Sequence, residues 1–238
     1  MRRKLTLLTF LIVALFAITY KNHFIENFIN ESKSIVTTAQ VSSSIHINNK
    51  NEEYEVQDSR IILKKVYKNI RELKADADII IEGRVINAKS EMYDENIPIT
   101  YTEVEIYDVF KTGSNDVLKG SKVCIIDEGG IIPKEILIKE YKNKFPDKFF
   151  DPKEFKDVKS TNDGIPPMEM GEHFIVFAQR FQGKSSKDNC YIVLGSYQGK
   201  FKIEEDKVTH QVPMLLEEKF EDKVKTKEEL INLINTIK

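Results

Sequence analysis

Ile99 to Phe110 reads ITYTEVEIYDVF. On an extended chain Thr100, Thr102, Val104, Ile106 and Asp108 fall on one face, and Tyr101, Glu103, Glu105, Tyr107 and Val109 on the other. This two-residue alternation, rich in β-branched and aromatic side chains, predicts a strand. Asn96-Ile97-Pro98 makes a turn before it and Lys111-Thr112-Gly113 ends it. Upstream, Asp78 to Glu91 (DIIIEGRVINAKSE) predicts a second strand, with Gly83 inside it as the mark of a bulge or sharp coil. Downstream come Ser121 to Asp127 (SKVCIID), stopped by Gly129-Gly130, then EHFIVFAQRF, CYIVLG and GKFKI, and a last short strand over Lys207 to Val212 before Pro213. Gln182 to Asn189 reads as a hairpin loop. Short strands in such succession predict a small closed or partly open antiparallel barrel rather than a parallel sheet.

Helices flank the strands. Ile62, Val66, Ile70 and Leu73 make one apolar stripe, which predicts a helix from Ile61 to Ala77. At the other end Thr226-Lys227-Glu228-Glu229 fits a capping box, and Leu230, Ile231, Leu233, Ile234 and Ile237 supply the apolar side of a C-terminal helix over 226–237. Residues 131–165 break the strand rhythm. They are charged and aromatic (KEYKNKFPDKFFDPKEFKD) and read as an insertion with one short helix near Lys134 to Lys142. The fold class is therefore a β-rich α+β domain over 53–238.

The N-terminus is of another kind. Met1-Arg2-Arg3-Lys4 is a basic cap, and Leu5 to Tyr20 (LTLLTFLIVALFAITY) runs sixteen residues without a charge. A basic cap before an apolar run is an export signal or a membrane helix. Positive charge stays inside, so the rest of the chain is expected outside the cytoplasm. Small residues are poorly placed for cleavage at Ala17-Ile18-Thr19, which favours a retained single-pass anchor over a secreted product; no cysteine follows to carry a lipid. Residues 21–52, polar and rich in Ser and Asn, read as a stalk between this membrane partner and the domain.

Lys and Arg number 36 against 38 Asp and Glu, a net charge of -2, and this gives no electrostatic case for nucleic acid. Cys124 and Cys190, the two cysteines of the chain, both lie in strand-like runs. Outside the cell they could form one disulfide; the alternative is two buried thiols acting as small hydrophobes. Two cysteines without matching histidine spacing make no zinc site.

The order of these pieces carries a resemblance. A helix runs into ADADIIIEGRV (Ala75–Val85). TYTEVEIYDVFKTG, Lys119-Gly120, Gly129-Gly130, Pro166-Pro167, MGEHFIVF (Met170–Phe177) and GSYQGKF (Gly195–Phe201) follow. Over about Ile61 to Ile203 this resembles a group of uncharacterised exported or membrane-anchored proteins of Gram-positive bacteria. It is more distantly similar to the netrin-like and tissue-inhibitor-of-metalloproteinase domains, whose OB-type barrel it implies. The inhibitors chelate a protease zinc with a mature N-terminal cysteine, and this chain has none at that place. The resemblance implies a barrel, not that chemistry.

No catalytic signature stands out: there is no nucleophile-elbow serine, glycine-rich phosphate loop or His-Glu-x-x-His. No catalytic residue, metal ligand or cofactor is therefore assigned. Asp127-Glu128 at a strand end could serve a cation or act as a base, against the alternative of a solvated turn. Glu172 and His173 are adjacent in a strand and point apart. His210 reads as a surface residue. The candidate binding residues are Tyr141, Phe145, Phe149, Phe150 and Phe155, aromatics interleaved with charge; the alternative is that they cover the core. The expectation is an extracytoplasmic binding module with an extracellular protein partner. The alternatives are a netrin-like protease inhibitor and a hydrolase centred on Asp127 and Glu128.

Overall fold

The computed structural model describes residues 54–93, 97–183 and 189–237. The apolar run and the stalk, 1–20 and 21–52, lie outside them. In chain order the elements are β1 (Tyr54–Ser59), α1 (Ile70–Asp76), β2 (Ile79–Tyr93), β3 (Ile97–Thr112), β4 (Lys122–Glu128), β5 (Gly130–Ile132), α2 (Lys134–Lys144), β6 (Asp157–Asn162), β7 (His173–Arg180), β8 (Tyr191–Val193), β9 (Lys200–Glu204), β10 (Lys207–His210), α3 (Met214–Lys219) and α4 (Lys227–Thr236). The fold is a sheet-rich α+β arrangement divided into two compact units. Among the described residues, one takes Gly129–Gly164 with those of 54–62 and 90–98; the other takes Leu63–Lys89, Ile99–Glu128 and those of 165–237.

The larger unit is built on a seven-stranded sheet in the order β10-β9-β7-β2-β3-β4-β8. β7 also pairs with β8, so β7, β2, β3, β4 and β8 are joined in a closed cycle of pairings. β3 and β4 are antiparallel, with Tyr101 opposite Ile126. β2 and β7 are antiparallel, with Ile81 opposite Val176. β4 and β8 are parallel, with Ile125 opposite Tyr191, where the sequence reading expects antiparallel neighbours throughout.

Both faces of the first half of β2 are covered, which is why Ile79-Ile80-Ile81 reads as an unbroken apolar run. Ile79 and Ile81 enter one cluster with Val104, Ile106, Ile125, Phe174, Val176 and Val193. Ile80 enters another with Ile175, Phe177, Phe201, α1 residues Ile70 and Leu73, and α4 residues Leu230 and Ile234. Gly83 sits where β3 comes close: a Cβ there would lie 2.4 Å from the Glu105 carbonyl oxygen and 2.5 Å from Val104 Cγ1. The glycine admits a backbone approach that no side chain allows.

The first helix is shorter than its apolar stripe. It begins only at Ile70, where the Asn69 side chain accepts from the Glu72 N–H. Ile62 and Val66 are exposed. The Tyr67 N–H donates to Gln198 Oε1 instead of to a helical carbonyl, and the residues before α1 are irregular rather than helical. Lys74 of α1 donates to the Ile234 and Ile237 carbonyls and so closes the C-terminal end of α4. Thr226 and Glu229 form a reciprocal cap at its start. Cys124 of β4 and Cys190 just before β8 form a disulfide, with Cα atoms 4.7 Å apart.

The smaller unit has its own sheet, in the order β1-β6-β5. β1 runs parallel to β6, Tyr54 opposite Asp157 through Ser59 opposite Asn162. β5 pairs antiparallel to β6. Ile132, Leu137, Tyr141 and Val158 form its core, with Met92, Ile136, Phe145, Phe150 and Phe155 packed against them. Residues 131–165 are therefore more than a loop between strands: with Tyr54–Ser59, which carries no strong strand signal, they build a second small core.

Candidate functional site

The candidate binding residues separate by exposure. Tyr141 of α2 is buried, its ring centroid 5.1 Å from that of Phe145, 4.8 Å from Phe150 and 5.8 Å from Phe155. Phe150 and Phe155 meet edge to face at 5.7 Å. Such tilted and edge-on pairs are the favoured aromatic geometry. Phe149 is the exception: it is 97% exposed. The loop that holds it is fixed on both sides. Before it, the Lys148 N–H donates to the Phe145 carbonyl and Lys148 Nζ lies 4.6 Å above the Phe145 ring. After it, Phe150 is tied into the cluster, and the Asp151 side chain accepts from the Lys153 N–H at the start of a 3-10 turn. The Lys134 N–H, opening α2, donates to Asp157 Oδ1. An ordered loop thus holds one phenyl ring in water while its aromatic neighbours pack beneath.

Asp127 and Glu128 are not a solvated turn. Asp127 is 1% exposed and pairs with the equally buried Lys200, Nζ to Oδ2 2.8 Å. Lys200 Nζ also donates to the Pro166 carbonyl at 2.8 Å, and the Met168 N–H donates to Asp127 Oδ2 at 3.0 Å. Burial pushes the Asp127 carboxyl above its ordinary range, against the pull of the Lys200 ammonium. Asp127 has come in from solvent because β4 turns it toward the side on which Ile125 is packed, and Lys200 answers its charge. Glu128, on the other face, is partly exposed and accepts a hydrogen bond from Ser196 Oγ. Burial raises its carboxyl too, and the neighbouring Asp127 adds to the rise. Ser196 has a left-handed backbone, φ 62°, directly after Gly195 at 56°. Burial lowers the nearby Lys64 ammonium, with Glu128 acting against the shift.

Glu172 and His173 go to separate partners. Glu172 pairs with Lys202 at 2.9 Å. His173 Nε2 lies 2.9 Å from Glu82 Oε1, which also receives Lys227. Burial pushes Glu82 up, but the His173 and Lys227 hydrogen bonds outweigh it and leave the carboxyl below its usual range. The His210 side chain is covered, contrary to its reading as a surface residue. It stacks on Phe201 at 4.3 Å and bridges the Gln198 carbonyl (2.7 Å) to Glu217 Oε2 (3.1 Å). Among the described residues no group of three His, Cys, Asp or Glu could hold a metal ion.

Lys200 and Ser196 escaped the sequence reading. Their only local signal is the paired glycines of Gly195-Ser196-Tyr197-Gln198-Gly199-Lys200, which mark a tight turn but not its partners across the sheet. No protein-family model matches the chain. No curated protein is significantly similar to it.

Proposed function

We propose that this chain is a binding module carried outside the cytoplasmic membrane, with an OB-type barrel as its scaffold and the Phe149 loop as its contact element. The barrel reading is supported by the cycle β7-β2-β3-β4-β8, in which β8 pairs parallel with β4 and antiparallel with β7, so the last strand comes back beside the first. Within such a cycle the strands pair with one another, which favours loops as the binding element. The membrane reading is supported by the basic cap and the uncharged run Leu5 to Tyr20.

The observation that carries the reading is Phe149. A fully exposed aromatic on a loop tied on both sides needs little backbone ordering to dock, which is the character of an interface anchor. The test is crosslinking in intact cells with a photoreactive group at position 149, beside Phe149→Ser as control. A stoichiometric adduct from that position supports the reading. An adduct pattern no different from that of an exposed site elsewhere, such as Leu118, refutes it.

A second reading, an acyl-transfer site, is favoured by one observation: the Ser196 hydroxyl donates to a carboxylate that burial raises, on a left-handed turn. Labelling with a serine-reactive phosphonate decides it. Labelling of the native chain that Ser196→Ala leaves unchanged removes Ser196 from the account, as does no labelling at all.

A further inference from the structure

β1 and β6 are parallel, and Tyr54 pairs with Asp157. Two chain segments therefore arrive at the same end of the small sheet. One comes from the N-terminal side, where the sequence carries its uncharged run. The other comes from the Phe149 loop, whose last aromatic, Phe155, lies two residues before Asp157. Lys159 Nζ, 5.6 Å over the Tyr54 ring, ties the two strands at that end. A sheet with β1 antiparallel to β6 would have put them at opposite ends.

The loop itself has the composition of a surface that rests on lipid. Five lysines stand against three acids between Lys142 and Lys156. Lys144, Lys153 and Lys156 are exposed in the same stretch of chain as Phe149, and Lys148, also exposed, holds its ammonium over the Phe145 ring. One of the acids, Asp151, is exposed and accepts from the Lys153 N–H. Lysines that lay their stems along apolar surface and keep their ammonium groups at phosphate level, beside an aromatic that enters the headgroup boundary, are the usual pattern of interfacial binding.

We infer that Phe149 and its lysines dock on the anionic lipid interface of the same membrane that holds the N-terminal run. The inference rests on the reading above that the run is membrane-held and that the Phe149 loop is a contact element; it names the lipid interface as what that loop contacts. One phenyl ring and a few lysines bind lipid weakly by themselves. A covalent tether makes docking an intramolecular event, so weak binding suffices. The smaller unit then lies against the bilayer.

The chain has no tryptophan, so Phe149→Trp introduces a single indole reporter. The full chain carrying it is reconstituted into phosphatidylglycerol–phosphatidylcholine vesicles with or without acyl-chain bromination. Leu118→Trp, at another exposed apolar site, is the control. The expected result is a blue-shifted indole at position 149 that loses roughly half its emission to brominated lipid, with little change at position 118. Flotation of the vesicles separates the two readings. If the chain floats with vesicles but the indole at 149 keeps the emission of water and is not quenched, the anchor stands and lipid docking is overturned; crosslinking of position 149 to a protein would then name the other class of partner. If the chain does not float and the indole is unquenched, both readings fall. Equal quenching at 149 and 118 reports general adhesion and also overturns the inference.

Discussion

Breaking the Cys124–Cys190 disulfide is expected to destabilise the larger unit by about 4 kcal/mol. The bond joins residues 66 apart. Chain-entropy theory gives a loss of 2.1 + 1.5R ln n, roughly 15 cal/mol/K for that loop, hence about 4 kcal/mol at 25 °C. Its position concentrates the effect. β8 is three residues long, and its parallel register to β4 consists of Ile125–Tyr191 and Ile126–Ile192, so the crosslink lies beside a pairing too short to hold by itself. The assay is urea unfolding of the detergent-solubilised full chain followed by far-ultraviolet circular dichroism, oxidised against reduced, with thiols counted under denaturant. At this size, the melting temperature should fall by roughly 8–16 °C. Reduction of the native chain is the primary perturbation because it leaves both sulfur atoms in place; Cys124→Ala with Cys190→Ala adds the loss of packing at buried Cys190. Complete reduction with a stability change under about 1 kcal/mol would refute the reasoning, because the loop entropy would then be absorbed elsewhere.

Further outcomes follow from single contacts. Lys200→Met leaves the Asp127 charge buried and unpaired, and should cost about 3–5 kcal/mol in urea unfolding, most of it recovered when Asp127→Leu is added; a double variant as unstable as the single would exclude the ion pair as the cause. Gly83→Ala drives a methyl into the Glu105 carbonyl and Val104, and should cost roughly 1–3 kcal/mol by thermal melt, whereas an unchanged melt would mean that β3 yields freely. Glu217 is held below its ordinary range, first by the His210 hydrogen bond. A carboxyl depressed in the folded state contributes stability above its unfolded pKa, and that contribution is lost as pH falls through the folded value, below the usual carboxylate range. Because Glu217 is substantially exposed, its share is well under about 1 kcal/mol, and Glu217→Gln should flatten that part of the acid limb in a pH series of urea midpoints; an identical limb would count against the link.

Local pattern explains part of this molecule. The alternation of Ile99–Phe110 is enough to predict a long strand, and β3 spans it, because successive side chains of a pleated chain point to opposite faces. Thr226 and Glu229 are three residues apart, so their reciprocal cap is a property of one turn of chain. The apolar stripe from Ile62 to Leu73 misled for the opposite reason. Helical spacing predicts a helix only if a core lies along the whole stripe, and Gln198, more than a hundred residues away, takes the Tyr67 N–H and leaves Ile62 and Val66 exposed.

The site was less legible than the sheet. Asp127 has the same neighbours in sequence whether it is solvated or buried; Lys200, 73 residues on, decides which. His210 beside Pro213 looks like surface until Phe201 and Glu217 close on it. Among the interleaved aromatics composition does not distinguish the ring left in water, Phe149, from those packed under it.

The sequence by itself determined the sheet-rich α+β class, since backbone period and capping are set by residues within a few positions of one another. Only the tertiary structure decided which strands are neighbours: β4 beside β8, β1 beside β6, Cys124 bonded to Cys190. Each of these brings together segments tens of residues apart or more. A strand's hydrogen-bonding edge is nearly the same for every partner, so the choice among partners is made by how whole apolar faces pack and not by any local signal.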